Sequence, residues 1–119
     1  RIALTRAYFA VFHAVRAQER VEVKGSLRTA RRFIHVSDIA SGILGALGRT
    51  GFEIFNLSGD RLVTLKDVID ESSALTGRHP EIIERNPAAV SIRNPDNQKA
   101  RKILGWKPSM DLRQGLSTL

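Results

Sequence analysis

Apolar positions along the chain recur at two spacings. From Ile2 to Gln18, Leu4, Tyr8, Val11, Phe12 and Val15 fall on a helical repeat, and Phe9 widens the stripe. Val21 and Val23 then alternate with Glu22 and Lys24, a short strand ended by Gly25. Gly25 to Arg32 is polar and basic and reads as a loop, after which Phe33, Ile34 and Val36 resume an extended apolar run. Next comes a helix, with Ser37 or Asp38 placed to cap its free N–H groups and Ala40, Ile43, Leu44 and Leu47 as its buried stripe. Glu53 to Leu57 reads as a buried strand, turned by Ser58, Gly59 and Asp60.

The second half continues the alternation. Thr64 caps a helix with Asp67 three residues on, an acidic variant of the capping box, and Gly77 suits its left-handed end. Leu65, Val68, Ile69 and Leu75 form its inner face, and Ile82 and Ile83 a short strand. Arg85 to Pro95 holds two prolines and little periodicity, so it is mostly loop. Asp96 caps a short helix with Ala100, Ile103 and Leu104 inward, ending at Gly105. Trp106 anchors the connector that follows, and Asp111 caps a last helix carrying Leu112, Leu116 and Leu119. Strands alternating with helices predict an α/β fold.

Length narrows this to one small domain, because 119 residues with 42% hydrophobic content support a single core. No apolar run approaches the ~20 residues of a membrane helix. The chain lacks cysteine, which excludes disulfides and thiolate metal sites and fits a cytoplasmic protein. It opens at Arg1 without an initiator Met and reads as a fragment of something longer. The net charge is +7, and the stretch from Arg1 to Arg32 carries +6 of it, eight basic residues against Glu19 and Glu22. Clustered positive charge attracts phosphate.

Candidate chemistry is sparse. Gly42, Gly45 and Gly48 have a spacing used by some dinucleotide loops, but they lie inside an amphipathic helix rather than in the turn after a strand. Small residues for close helix packing explain them better. Arg28, Arg31 and Arg32 sit between two strands, where rigid guanidinium forks suit a diphosphate. His13, His35 and His79 show no metal-ligand spacing. His35 reads as a packed or capping residue, and Asp38 as an N-cap rather than a general base. Tyr8 is the only tyrosine, and Phe12, not lysine, stands four residues after it.

Four blocks carry a resemblance. They are V-E-V-K-G-S-L-R-T-A-R-R-F-I-H-V-S-D-I-A from Val21 to Ala40, I-F-N-L-S-G from Ile54 to Gly59, D-N-Q-K-A-R-K-I-L-G-W-K-P from Asp96 to Pro108, and the closing D-L-R-Q-G-L helix. In this order and spacing, over nearly the whole chain, they resemble the extended short-chain dehydrogenases/reductases, the NAD-dependent epimerases and dehydratases of nucleotide sugars. The resemblance implies a nucleotide-binding Rossmann domain followed by a smaller C-terminal substrate domain. Residues 1–119 correspond to the latter, with one strand and helix that complete the Rossmann side.

The resemblance also implies roles. Arg31 matches the arginine that contacts the substrate diphosphate, and Arg85 falls near a second one. The strand holding the nucleobase corresponds to Val21, Val23 and Lys24. Asn56 matches a position that approaches the phosphates in some members. Arg32 departs from the usual Asp, Leu27 stands where a loop glycine is common, and Ala88 and Ala89 replace Gly-Asp. The family's dinucleotide fingerprint and its Tyr-x-x-x-Lys pair belong to the N-terminal part. The implied parent therefore binds NAD or NADP, commonly as a homodimer, while this chain takes the nucleotide-diphosphate sugar, binds no cofactor tightly and is inactive alone. Two other readings stand beside this one. The +6 third suits a nucleic-acid-binding module, although aromatics are only 6% and no recognised motif is present. The apolar first helix suits a structural or dimerisation domain.

Overall fold

The computed structural model describes the backbone of residues 2–119 and the side chains from residue 10 onward. Leu4, Tyr8 and Phe9 are thus outside the described side chains. Helix α1 (Ile2–Ala17) leads into strand β1 (Arg20–Val23), then β2 (Ala30–Arg32) and helix α2 (Val36–Ala46). Strand β3 (Leu62–Thr64) runs directly into α3 (Leu65–Thr76), followed by β4 (Glu81–Glu84), α4 (Gln98–Leu104) and α5 (Leu112–Ser117). The fold is α/β, as the alternation predicts.

Two small sheets organise it. β1 pairs in parallel with β4, Val21 opposite Ile82. β2 pairs antiparallel with β3, Arg31 opposite Val63. The core lies between α1, α3 and these sheets. One cluster joins Phe12, Val63, Val68, Leu112 and Leu116. The other joins Val15, Val21, Val23 and Ile69. Each such side chain, fully buried, contributes about 1.5–3 kcal/mol. The α3 capping box forms as expected, with Thr64 and Asp67 exchanging hydrogen bonds, and Gly77 ends the helix at φ 70°. Asp111 caps α5 in the same way, through Gln114.

Four expectations give way. Strand β2 occupies Ala30–Arg32, inside the predicted loop, because β3 pairs there and not with Phe33–Val36. The cap of α2 is His35, whose Nδ1 accepts the Ser37 N–H, rather than Ser37 or Asp38. The predicted inner stripe of α2 faces outward: Ile43, Leu44 and Leu47 are all more than half exposed. Residues 53–57 form no strand, and Ile54 is exposed. A β-pattern becomes a strand only against a hydrogen-bonding neighbour, and among the described residues none flanks this segment.

Asp38 occupies a different position from a cap. It is 3% exposed, and its carboxylate accepts from the Ser109 N–H (3.0 Å), the Ser109 hydroxyl (2.8 Å) and the Met110 N–H (3.0 Å). The Trp106 indole N–H donates to the Asp38 carbonyl (2.9 Å) and to Ser41 Oγ (3.0 Å). Together they clamp α2 to the connector between α4 and α5. Burial acts to raise the Asp38 pKa, but the hydrogen bonds from Ser109 and Met110 outweigh it and hold the carboxyl below its ordinary value. A depressed folded-state pKa stabilises the fold above the ordinary aspartate value of about 4, and this contribution is lost as pH falls through the lower, folded-state value. We expect Asp38→Asn to cost about 1–3 kcal/mol in urea unfolding at neutral pH, because an amide nitrogen would face a buried donor. The same variant should lose less stability than the wild type on acidification. An unchanged acid limb would show that Asp38 is not a linked group.

Candidate functional site

Two segments distant in sequence, residues 24–32 and 84–94, lie side by side and are joined by side chain and backbone. Glu84 accepts from the Leu27 N–H (2.7 Å), and Arg28 Nη2 donates to the Pro87 carbonyl (3.1 Å). The Ala30 N–H donates to Ser91 O (3.0 Å) and the Arg93 N–H to Ala30 O (3.2 Å), a parallel bridge of Ala30 with Ile92. Arg31 completes the joint. Its guanidinium donates to Ala30 O (2.8 Å), Ser91 O (2.7 Å) and Ser91 Oγ (3.0 Å). All three acceptors are neutral, so the charge stays uncompensated while the position is fixed. Arg31 Nε is buried and has no hydrogen-bond partner among the described residues.

This joint forms one wall of a cleft of about 540 Å³. Arg31, Arg32, Arg93 and Asn56 give it a polar edge, and Phe33, Ile39, Phe55, Leu57 and Leu116 an apolar floor. No acidic side chain is among its lining residues. Arg32 is held by the Gly59 carbonyl (3.1 Å) and Asn94. His35 stands at the rim. Its Nε2 meets Thr118 Oγ1 at 3.0 Å, and that hydroxyl already donates to Gly115 O (2.7 Å). The ring proton therefore sits on Nε2, leaving Nδ1 as the acceptor that caps α2.

The D-N-Q-K-A-R block shapes the cleft from below. Buried Asn97 donates to Ser58 O (2.9 Å) and Asp60 Oδ1 (3.1 Å), and Ser58 Oγ donates to Pro95 O (2.9 Å). Arg101 bonds the Asp60 carboxylate and, as the main cause, lowers its pKa. These contacts hold Ser58-Gly59 against the backbone of Phe33.

The predicted site residues divide. Arg31 and Asn56 meet at the cleft. Val21 and Val23 instead point into the core, 5% and 8% exposed, so this strand can offer a ligand only its backbone or the Glu22 face. Lys24 is exposed and off the cleft. Arg85 also lies off it, in an ion pair with Glu22 across the exposed side of β1 and β4. Arg93 was missed in sequence. Its one signal was a basic residue just before Asn94-Pro95-Asp96, and only the bridge to Ala30 brings it beside Arg31. Gly42 and Gly45 lie within α2, and Gly42 packs against Leu57. No group of three or more metal-ligating side chains occurs among the described residues. Among the described residues no helix is long and apolar enough to cross a membrane.

No family model matches the chain. It is 34% identical to the chloroplast stem-loop binding protein of 41 kDa b of Arabidopsis thaliana, over 89% of this chain and 32% of that protein. It is 30% identical to the UDP-glucuronate 4-epimerase of Thermodesulfobacterium geofontis, over 81% of this chain and 31% of that enzyme. The structure of MoeE5 in complex with UDP-glucose and NAD superposes with a TM-score of 0.80 at 25% identity, covering 94% of this chain and 39% of that one. UDP-glucuronic acid 4-epimerase from Bacillus cereus, also at TM-score 0.80 but 20% identical, shares the fold over 93% of this chain and 37% of its own. The motifs, the α/β fold and these relatives together define a member of the extended short-chain dehydrogenases/reductases. The chain belongs to that family, and the relatives it matches include proteins named as nucleotide-sugar epimerases and decarboxylases. It spans about a third of the length of the curated relatives it matches, consistent with a C-terminal part of the family fold.

The turn under the cleft is testable. A Cβ on Gly59 would lie 1.7 Å from the Phe33 carbonyl oxygen, a backbone atom that cannot move aside cheaply. Gly59→Ala should cost at least about 2–3 kcal/mol. Gly25→Ala, whose Cβ would meet only Ala89 O at 3.7 Å, should stay within about 1 kcal/mol. Urea unfolding of both variants checks the pair, and equal losses would refute the close approach.

Proposed function

We propose that this chain is the nucleotide-sugar-binding part of an NAD(P)-dependent epimerase or dehydratase. The observation that carries the reading is the meeting of Arg31 and Asn56 on the polar edge of one cleft with no acidic lining. A fixed guanidinium with uncompensated charge favours a diphosphate. The apolar floor accepts the less polar faces of the rest of the ligand. The nucleotide is a handle, and binding it supplies energy remote from the reacting sugar carbon.

The remaining machinery is assigned to an N-terminal Rossmann domain. The dinucleotide fingerprint of the family belongs to that domain, and NAD or NADP is assigned to it. The Tyr-x-x-x-Lys pair belongs there as well. The surface of this chain supports the assignment: Val36, Leu44, Leu47, Phe52 and Ile54 are each more than 60% exposed. Together α2 and residues 52–57 present a helix and a β-prone segment with no strand partner among the described residues, the two pieces an open α/β sheet would add at its edge. The whole protein is assigned as a homodimer by family resemblance.

In the full-length protein, Arg31→Ala should weaken nucleotide-sugar binding by roughly 1.5–3 kcal/mol, the scale of a charged hydrogen bond, or roughly 10- to 150-fold. Calorimetric titration with UDP-glucose, UDP-glucuronic acid and dTDP-glucose reads it directly. An RNA hairpin is the necessary comparator, since one relative is named as a stem-loop binding protein. Unchanged sugar-nucleotide affinity would remove Arg31 from the site. Tighter, steeply salt-dependent binding of the hairpin would favour a nucleic-acid module instead.

A further inference from the structure

A guanidinium carries its N–H donors in one plane, and the way that plane is held decides which of them a ligand can meet. Arg31 gives both Nη1 hydrogens to carbonyls, Ala30 O at 2.8 Å and Ser91 O at 2.7 Å, and one Nη2 hydrogen to Ser91 Oγ at 3.0 Å. Ser91 itself is exposed and is not among the residues that line the cleft. The geometry points to Ser91 as a positioning residue: its hydroxyl sets the orientation of Arg31 toward a diphosphate and acts on the ligand only through that arginine. This inference rests on the nucleotide-sugar reading above.

Three observations carry it. First, the backbone fixes where the hydroxyl starts. The Ser91 carbonyl accepts from the Ala30 N–H (3.0 Å) as well as from Arg31, and the Ser91 N–H donates to Thr29 Oγ1 (3.3 Å). The bridge of Ala30 with Ile92 sets the register of the two segments. Ser91 Oγ therefore meets Arg31 from a pinned position on a neighbouring segment, not from a loose loop.

Second, the hydroxyl restrains what the carbonyls do not. Both carbonyl bonds converge on Nη1, and about that atom the guanidinium can still tilt. Nε has no hydrogen-bond partner among the described residues, so it supplies no second anchor. The bond from Nη2 to Ser91 Oγ is the one that stops the tilt, and it leaves the other Nη2 hydrogen for a ligand oxygen.

Third, the brace is neutral. A carboxylate at position 91 would orient Arg31 as firmly but would cancel its charge, whereas a hydroxyl orients the group and leaves the charge to the ligand. Arg32 is treated in the same way, by Asn94 Oδ1 and the Gly59 carbonyl. Residues 91 and 94 thus give one neutral side-chain acceptor to each of two neighbouring arginines.

The test is calorimetric titration of the full-length protein with UDP-glucose and dTDP-glucose. Ser91→Ala should weaken binding about 2- to 12-fold, the scale of ordering one loosened side chain. Ser91→Thr, which keeps the hydroxyl, should bind nearly as the wild type does. Ser91→Asp should bind more weakly than Ser91→Ala, because its carboxylate pairs with Arg31. The unfolding midpoint of unliganded Ser91→Ala should barely move, since the backbone bonds between the two segments remain. In an Arg31→Ala background Ser91→Ala should have no further effect, and an equal loss in both backgrounds would show that Ser91 does not act through Arg31. Unchanged or tighter binding by Ser91→Ala, with Arg31→Ala weakened, would overturn the role of Ser91 and leave the nucleotide-sugar reading standing. If Arg31→Ala also binds as the wild type does, both fall together.

Discussion

The carboxylate of Asp38 is the constraint on which the layout depends. It lies in the first turn of α2 and accepts three hydrogen bonds from a loop some seventy residues away in sequence. Those bonds fix Ser109 and Met110 and so set where α5 begins, one residue after the cap at Asp111. α5 brings Leu112 and Leu116 onto α3 and places Gly115 beneath the Phe33 ring. Phe33 in turn lies between β2 and α2, below the cationic edge. A buried carboxylate is costly unless its lone pairs are filled, and here they are filled by two backbone N–H groups and a hydroxyl of one loop. The polar joint specifies position, and the apolar contacts around it then supply most of the stability.

Much of the fold was legible because its signals are short-range. Thr64 with Asp67 and Asp111 with Gln114 each satisfy orphan N–H groups within a few residues, so the structure could not easily place those ends elsewhere. The α2 cap was misread because the rule favours Ser and Asp, whereas a histidine does the same work once Thr118 holds its other nitrogen. That tie closes over more than eighty residues. Strand β2 was misplaced for a similar reason: its extent is decided by β3, not by its own hydrophobicity.

The site was less legible, and the reason is geometric. Arg31 and Asn56 could be named by motif, and the fold does bring them together. The alternation that revealed β1 already implied that Val21 and Val23 face one way and Glu22 the other, and the core claims the valines. A motif assigns residues to a ligand without regard to which face of the strand is spoken for. Arg85 and Arg93 are both arginines in a loop, and nothing local separates them. What separates them is the pairing of Glu22 with Arg85 and the bridge of Ala30 with Ile92, two contacts that exist only after the two halves of the chain have met.

The same logic bears on the exposed face of α2. Its apolar stripe has helical spacing and reads as buried, yet the side of the helix that is covered holds Asp38 and Gly42. A helix with a polar clamp and a glycine inward and Ile43, Leu44 and Leu47 outward is inverted for an isolated domain, since leaving that stripe in water forgoes about 25 cal/mol per Å². It is correctly oriented for a helix sandwiched between two layers, one reached through hydrogen bonds and the other through apolar contact. Residues 53–57 show the matching pattern outside any helix or strand, with β-prone side chains and no ladder among the described residues. Two elements that fail alone in complementary ways, one lacking a packing surface and one lacking a strand, would be answered by a single sheet. An open edge able to pair with 53–57 would also carry the face that covers α2. The cationic edge of the cleft borders the same segment at Asn56, so a sheet docked there would close the ligand site from the side that this chain leaves open.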